Sequence, residues 1–234
     1  MTRRRWIADE ISGNYAALIG AHAEHLARVL RARVGQEFDV ATGNSVRRGR
    51  VTAVSPERVE FELGAEVSSA TAADVTLLLS VFKFDRMEWA IEKCTELGAS
   101  RIVPVIARRT ESHLAASAAK RVDRWRRIAR EASEQSRRDS APEVSDPVQL
   151  KDALSIGGNV RVLLAETEDK LSLQDALPKG VAGVVLAIGP EGGWTDPELQ
   201  LFRQAGWTFA SLGSRILRAE TAAIAAMAIA VSSS

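Results

Sequence analysis

The hydrophobic rhythm of the chain changes near residue 70. Before that point, residues 18–32 carry apolar Ala23, Leu26 and Leu30 at helical spacing, which predicts a helix from Leu18 to Ala32. Three short β-like runs follow at Glu37–Thr42, Val46–Val54 and Arg58–Leu63, punctuated by Gly43-Asn44 and Ser55-Pro56. A compact β-barrel with one helix fits this pattern. Segment 64–73 is small and polar and reads as a linker.

From Asp74 onward the apolar runs are nearly continuous: Val75–Val81, Arg101–Ile106, Val160–Ala165, Val184–Ile188 and Phe209–Leu212. Continuous runs suit strands of a parallel sheet covered on both faces. Helical patterns alternate with them at Asp85–Leu97, Ala119–Arg138, Pro197–Ala205 and Ala219–Ala230, which argues an α/β fold. Segments 110–118 and 139–149 read as loops. In the Ala119–Arg138 helix, Val122, Trp125, Ala129 and Ala132 recur on one face. The helix at Ala219–Ala230 is apolar almost all round. That predicts burial on most sides, with a subunit interface as a second reading.

Composition narrows the classes. The chain has 234 residues, enough for a small domain and a larger one, each with its own core. Cys94 is the only cysteine, so no internal disulfide forms, and three histidines (His22, His25, His113) are too few to suggest a metal. No secretory signal or membrane span is evident, and the cytoplasm is the expected location. The net charge of +1 hides clusters of arginine at 3–5, 28–33, 47–50, 101–109 and 121–138. A planar guanidinium suits phosphate, although arginine-rich codon usage and solvated faces with internal Glu–Arg pairs are the simpler account of such clusters.

Three segments carry candidate chemistry. Ile188-Gly189-Pro190-Glu191-Gly192-Gly193-Trp194-Thr195-Asp196-Pro197-Glu198 follows an apolar strand directly, and its glycines allow a sharp turn and close approach to a ligand. Thr195 with Glu198 forms a capping box, or Asp196 caps with Pro197 first in the helix. The glycine spacing is neither that of a P-loop nor that of the dinucleotide fingerprint. Ser211 to Ala222 repeats the strand–loop–helix plan, with Arg215, Arg218 and Glu220 flanking the apolar pair Ile216-Leu217. Such a pair either sandwiches a flat ring or anchors the loop to the core. The strand Val162–Ala165 ends in Glu166-Thr167. Parallel sheets place ligands at such strand ends, and a tight strand-to-helix connection is the alternative for each.

Taken together, IGPEGGWTDPEL and LGSRILRAETAA resemble the signature loops of the RsmE family, SPOUT-superfamily enzymes that methylate N3 of a uridine in 16S rRNA. KFDRMEWAIEKCTELGASRIVPV (83–105) and RWRRIAREASEQSRRDSAPEV (124–144) resemble further family segments, and HAEHLARVLRARVGQEF (22–38) is similar to its PUA-like RNA-binding domain. The likeness covers nearly the whole chain, in order. Two positions depart from the pattern: Phe84 and Arg137 stand where relatives often have glycine or another small residue.

The resemblance implies a PUA-like β-barrel over 1–70 and an α/β SPOUT domain over 74–234, with a parallel sheet and a C-terminal trefoil knot near 160–225. It implies S-adenosyl-L-methionine as cofactor, a homodimer through the C-terminal domain, and the small ribosomal subunit as partner, with no metal and no membrane. Carried over, the cofactor would lie among Ala165, Glu166, Thr167, Ile188, Gly189, Glu191, Gly192, Gly193, Leu212, Gly213, Ile216, Leu217, Arg218 and Ala222. Deprotonating N3 calls for a cation or a base. Arg218 is the candidate cation, and Glu220 and Glu191 are candidate bases or orienters, although Glu220 near a helix start also serves as a simple cap. RNA is expected on Arg3, Arg4, Arg5, Arg31, Arg33, Arg137 and Arg138. The rival readings are a ribose 2′-O methyltransferase of the same superfamily and a non-catalytic RNA-binding assembly protein.

Overall fold

The computed structural model describes residues 5–43, 45–67 and 74–233. The chain divides into two compact units, one of Met1–Thr71 with Ser133–Ala141, the other of Ala72–Ala132 with Pro142–Ser234.

The first unit holds six strands: β1 (Arg5–Ile7), β2 (Glu10–Ser12), β3 (Tyr15–Ile19), β4 (Glu37–Ala41), β5 (Val46–Val54) and β6 (Arg58–Val67). They pair in the order β1-β4-β5-β6-β3-β2. A flat ladder of this order would hold β1 and β2 about 24 Å apart. Only Ala8 and Asp9 join them, a reach of about 11 Å at most. The sheet therefore curls into a barrel-like shape. The joining residues stitch its two ends together, Ala8 N–H to the Ala41 carbonyl (3.0 Å) and Asp9 N–H to that of Ala17 (2.9 Å). Inside lie Trp6, Leu18, Leu26, Val40, Val59 and Phe61. Gly49 on β5 is where the walls press closest: a Cβ there would lie 2.5 Å from Val40 Cγ2 and 3.2 Å from Phe61 Cδ1.

The predicted helix over 18–32 breaks up. Leu18 and Ile19 end β3, the chain turns at Gly20, and only α1 (Gly20–Glu24) and a π-helical turn (His25–Val29) remain helical. Leu18 is claimed by the barrel core, so tertiary packing overrides the helical spacing. Residues 64–67 extend β6 rather than beginning a linker, and 68–73 lie outside the described residues.

The second unit is built on one sheet of β7 (Val75–Ser80), β8 (Arg101–Ile106), β9 (Glu143–Val144), β10 (Val148–Gln149), β11 (Val160–Leu164), β12 (Val184–Ile188) and β13 (Thr208–Ala210). The order is β10-β8-β7-β12-β11-β13, with β9 also on β8, and every pair is parallel. The helices are α2 (Phe84–Leu97), α3 (Ser112–Ser117), α4 (Val122–Gln135), α5 (Leu150–Ala153), α6 (Leu173–Ala176), α7 (Asp196–Gln204) and α8 (Ala219–Ser233). Alternate residues of β7 serve opposite layers. Val75, Leu77 and Leu79 pack in the cluster that includes Ile91 of α2 and Met227 of α8. Leu78 packs in the cluster of Phe202 and Trp207. Both faces are covered, which is why the strand runs read as continuously apolar; each buried leucine contributes roughly 1.5–3 kcal/mol.

Two segments read as loops carry structure. Segment 110–118 contains α3, whose one buried large side chain, Leu114, leaves no periodicity to detect. Segment 139–149 contains β9 and β10, two residues each, both edge pairings of β8. Phe84 lies in the second unit, its ring 6.0 Å from that of Trp125 and beneath the Arg121 guanidinium at 4.8 Å, so a large side chain is used where a small one is common.

Arg5 is turned inward in the first unit. It is 8% exposed, pairs with Asp139 at 2.7 Å and donates to the Arg137 carbonyl. Arg137 itself has φ +60°, the left-handed region that glycine enters freely. The strain explains why glycine suits this position. Arg137→Gly is expected to raise stability by roughly 1 kcal/mol, read as a higher Tm. Gly49→Ala is expected to lower it by about 1–3 kcal/mol by overpacking the barrel. Cys94 is fully buried on α2, and burial pushes its thiol pKa up, so thiol reagents should modify it only after unfolding.

Candidate active site

Because every strand of the larger sheet runs the same way, all its C-terminal ends open on one edge. Five connections emerge there. The β7 connection brings Lys83 and Arg86 at the start of α2, and the β8 connection brings Arg109. After β11 comes 165–175, after β12 the glycine loop 189–194, and after β13 the loop 211–219. Together they line one cavity of about 970 Å³, a size suited to a cofactor-scale ligand.

The loops are held by backbone and capping bonds rather than by a core of their own. Ala165 N–H donates to the Ala210 carbonyl (3.1 Å), Ser211 N–H to that of Leu171 (2.9 Å) and Leu173 N–H to that of Ser211 (2.8 Å), which ties the β11 and β13 loops together. Glu168 accepts the Lys170 N–H at 2.8 Å and the Leu171 N–H at 3.2 Å. These two bonds hold its carboxyl below the ordinary range, the Lys170 bond most strongly.

The glycine loop ends in the capping box expected from sequence: Thr195 is the N-cap of α7, with Glu198 reaching back to the Thr195 N–H at 2.8 Å. Glu198 is 2% exposed and also accepts the Arg108 N–H at 2.7 Å, so one carboxylate pins two of the site's connections. Arg109 Nη1 donates to the Gly192 carbonyl at 2.5 Å. Trp194 lies beneath Gly189, where a Cβ would come within 3.1 Å of the indole Nε1, and stacks edge-on against Phe202 at 4.9 Å.

Charge is concentrated at the glycine loop. Glu191 pairs with Arg86 at 2.9 Å and lies 3.9 Å from Lys83; Arg86 Nε lies 3.8 Å from Glu220 Oε1. Glu220 is 4% exposed at the start of α8, and its Oε2 is buried with no hydrogen-bond partner.

The expected cofactor residues, from Ala165 to Ala222, all line this cavity. Of the two expected catalytic residues, Arg218 lies exposed on the wall. Glu220 is not among the lining residues; its carboxylate points to Arg86 behind the wall. Ile216 is 81% exposed, so it is a rim residue rather than a core anchor. Lys83, Arg86, Arg109 and Trp194 are among the further lining residues to which the sequence gave no site role. The signal was present for the first two, which follow an apolar strand just as the glycine loop and the arginine loop do.

In the first unit, Arg31, Arg33 and Arg137 are exposed and Arg138 is half-buried, whereas Arg3 and Arg4 lie outside the described residues. Along α4 in the second unit, Arg124 forms a two-pronged bond to Glu88 (2.6 and 2.7 Å) and Arg126 reaches Asp146 at 3.0 Å. That part of the arginine cluster is internally paired. Among the described residues no group of three or more His, Cys, Asp or Glu is placed to hold a metal, and no helix is long and apolar enough to cross a membrane.

A parallel sheet whose loops enclose such a cavity over 165–222 coincides with the match of residues 69–231 to the RNA methyltransferase domain family, and the chain belongs to it. Within that class it is a member of the ribosomal RNA small subunit methyltransferase E family. It is 35% identical to the Synechocystis protein of that name over 94% of this chain and 74% of the relative, and 31% identical to the Mycobacterium bovis protein over 92% and 86%. A crystal structure of the Neisseria gonorrhoeae family member bound to S-adenosyl methionine superposes with a TM-score of 0.86 at 31% identity, covering 97% of this chain and 96% of that one.

The double role of Glu198 is directly testable. Glu198→Ala should lower stability by about 1–3 kcal/mol by orphaning buried N–H donors, and Glu198→Gln by less. An unchanged melting curve for the alanine variant would show that the carboxylate does not pin these loops.

Proposed function

We propose that this chain methylates N3 of a uridine in 16S rRNA. Transfer of a methyl group from S-adenosylmethionine to ribosomal RNA is the activity of its family. The observation that carries the reading is the convergence of three strand-end loops, after β11, β12 and β13, on one cavity. When bound there, S-adenosylmethionine supplies an electrophilic methyl on a sulfonium.

The residues present fit that group. Gly189 keeps the wall thin over Trp194, and a side chain there would push into the indole. The exposed aliphatic face of Ile216, with Leu212 and Leu217, offers a sandwich for a flat adenine ring. Glu166, Thr167, Glu191, Gly192, Gly193, Gly213 and Ala222 complete the cradle in this reading. Arg218 supplies a cation at the wall, and Glu220 acts through Arg86 rather than by touching the base. The insertion of β12 between β7 and β11, although β11 comes first in the chain, suits a knotted SPOUT-type topology.

The barrel-like first unit serves as a PUA-like RNA-binding domain in this reading, with Arg31, Arg33, Arg137 and Arg138 toward phosphate. A homodimer through the second unit fits the apolar α8 and the half-exposed Trp89 on α2, the helix that packs against it. The partner is the small ribosomal subunit, in the cytoplasm.

Transfer of tritium from labelled cofactor to small-subunit particles, followed by nucleoside analysis, tests the reading: 3-methyluridine is expected, and a 2′-O-methyl product overturns the N3 assignment. Arg218→Ala should lower methyl transfer by about a hundredfold at saturating cofactor; full activity removes Arg218 from the chemistry. Binding to 16S rRNA should weaken steeply with salt as counterions are released, and a flat response argues against phosphate contacts.

A further inference from the structure

We infer that Arg86 is a catalytic residue, a second cation beside Arg218 that stabilises the uracil anion formed when N3 loses its proton. The inference rests on the methyltransfer reading above and names the group that serves its proton-loss step.

Arg86 stands in the first turn of α2 and lines the cavity together with the glycine loop. Its guanidinium is held from two sides, by Glu191 at 2.9 Å and by the buried Glu220 at 3.8 Å. Only Nη1 makes a hydrogen bond, to Glu191, so most of the five N–H donors of this guanidinium are uncommitted among the described residues. A guanidinium clamped by two carboxylates and left with spare donors beside a ligand cavity is preorganised. It needs no rearrangement when negative charge develops nearby, the arrangement in which such donors contribute most.

Glu220 makes sense in the same terms. A carboxylate 4% exposed, with one oxygen lacking a partner, is costly to bury. No donor lies within hydrogen-bonding distance of Oε2, and the nearest cation is Arg86. Its position orients the guanidinium by charge at 3.8 Å without taking up a hydrogen bond from it. Glu220 is thus a positioning residue.

The step served is simple. The N3–H bond of the uracil breaks, its electron pair stays on the ring, and the proton passes to water. The resulting charge spreads over N3 and the two flanking carbonyl oxygens, and the N–H donors of Arg86 meet those oxygens. The N3 lone pair is then available to accept the methyl group.

The experiment compares Arg86→Ala, Arg86→Lys and wild type on small-subunit particles, with cofactor affinity measured separately by calorimetry. Arg86→Ala should lose about a hundredfold in kcat while cofactor Kd changes little. Millimolar guanidinium chloride should restore part of that rate, which a merely structural loss would not allow. Arg86→Lys keeps the charge without the fork and should fall between the two, and it serves as the folded control if the alanine variant melts early. If the Arg86→Ala loss lies wholly in cofactor Kd, or if guanidinium rescues nothing in a folded variant, Arg86 does not stabilise the anion. Absence of methylation by the wild-type chain would instead sink the underlying functional reading.

Discussion

The parallel pairing of β12 with β7 on one side and β11 on the other is the constraint on which the site depends. Val184 to Ile188 are buried on both faces, so this strand has no freedom to slip without exposing one layer of the core. Its register sets where Gly189 begins and hence where the glycine loop meets the loops after β11 and β13. Because the ladder is parallel throughout, the connections that follow β7, β8, β11, β12 and β13 emerge on the same edge. The cavity is a consequence of strand direction before it is a consequence of any side chain.

Upon that frame a few polar groups do the positioning. Glu198 joins the β12 loop to the segment after β8 through two bonds from a single buried carboxylate. Arg109 bonds the same loop at Gly192. Glu191 and Glu220 draw Arg86 between them, connecting the glycine loop, the start of α2 and the start of α8. These contacts are local and directional, as a binding site needs, whereas the aliphatic layers beneath supply the bulk of stability without specifying geometry.

The first unit shows a different economy. Its six strands close because a two-residue link joins the two ends of the pairing order. Arg5 in β1 then bonds the 133–141 segment through Asp139 and the Arg137 carbonyl. Of the arginines marked by composition, those that are internally paired carry no local mark in the sequence. Arg124 and Arg126 are engaged by Glu88 and Asp146, residues remote along the chain.

What the amino-acid order determined alone was the local and the repetitive. Unbroken apolar runs located the long strands of the sheet, helical spacing located α2, α4, α7 and α8, and the Thr195–Glu198 pair foretold a capping box, because each depends on neighbours within a few residues. Even the loops that line the cavity were legible in part, since a strand followed by glycines or arginines and then a helix start is itself a local pattern. Tertiary structure decided what depends on distant partners. Leu18 joined a barrel wall instead of a helix, β9 and β10 formed only against β8, and Glu220 faced Arg86 rather than the cavity. Those outcomes are set by burial and charge pairing between residues far apart in the chain, which no spacing rule encodes.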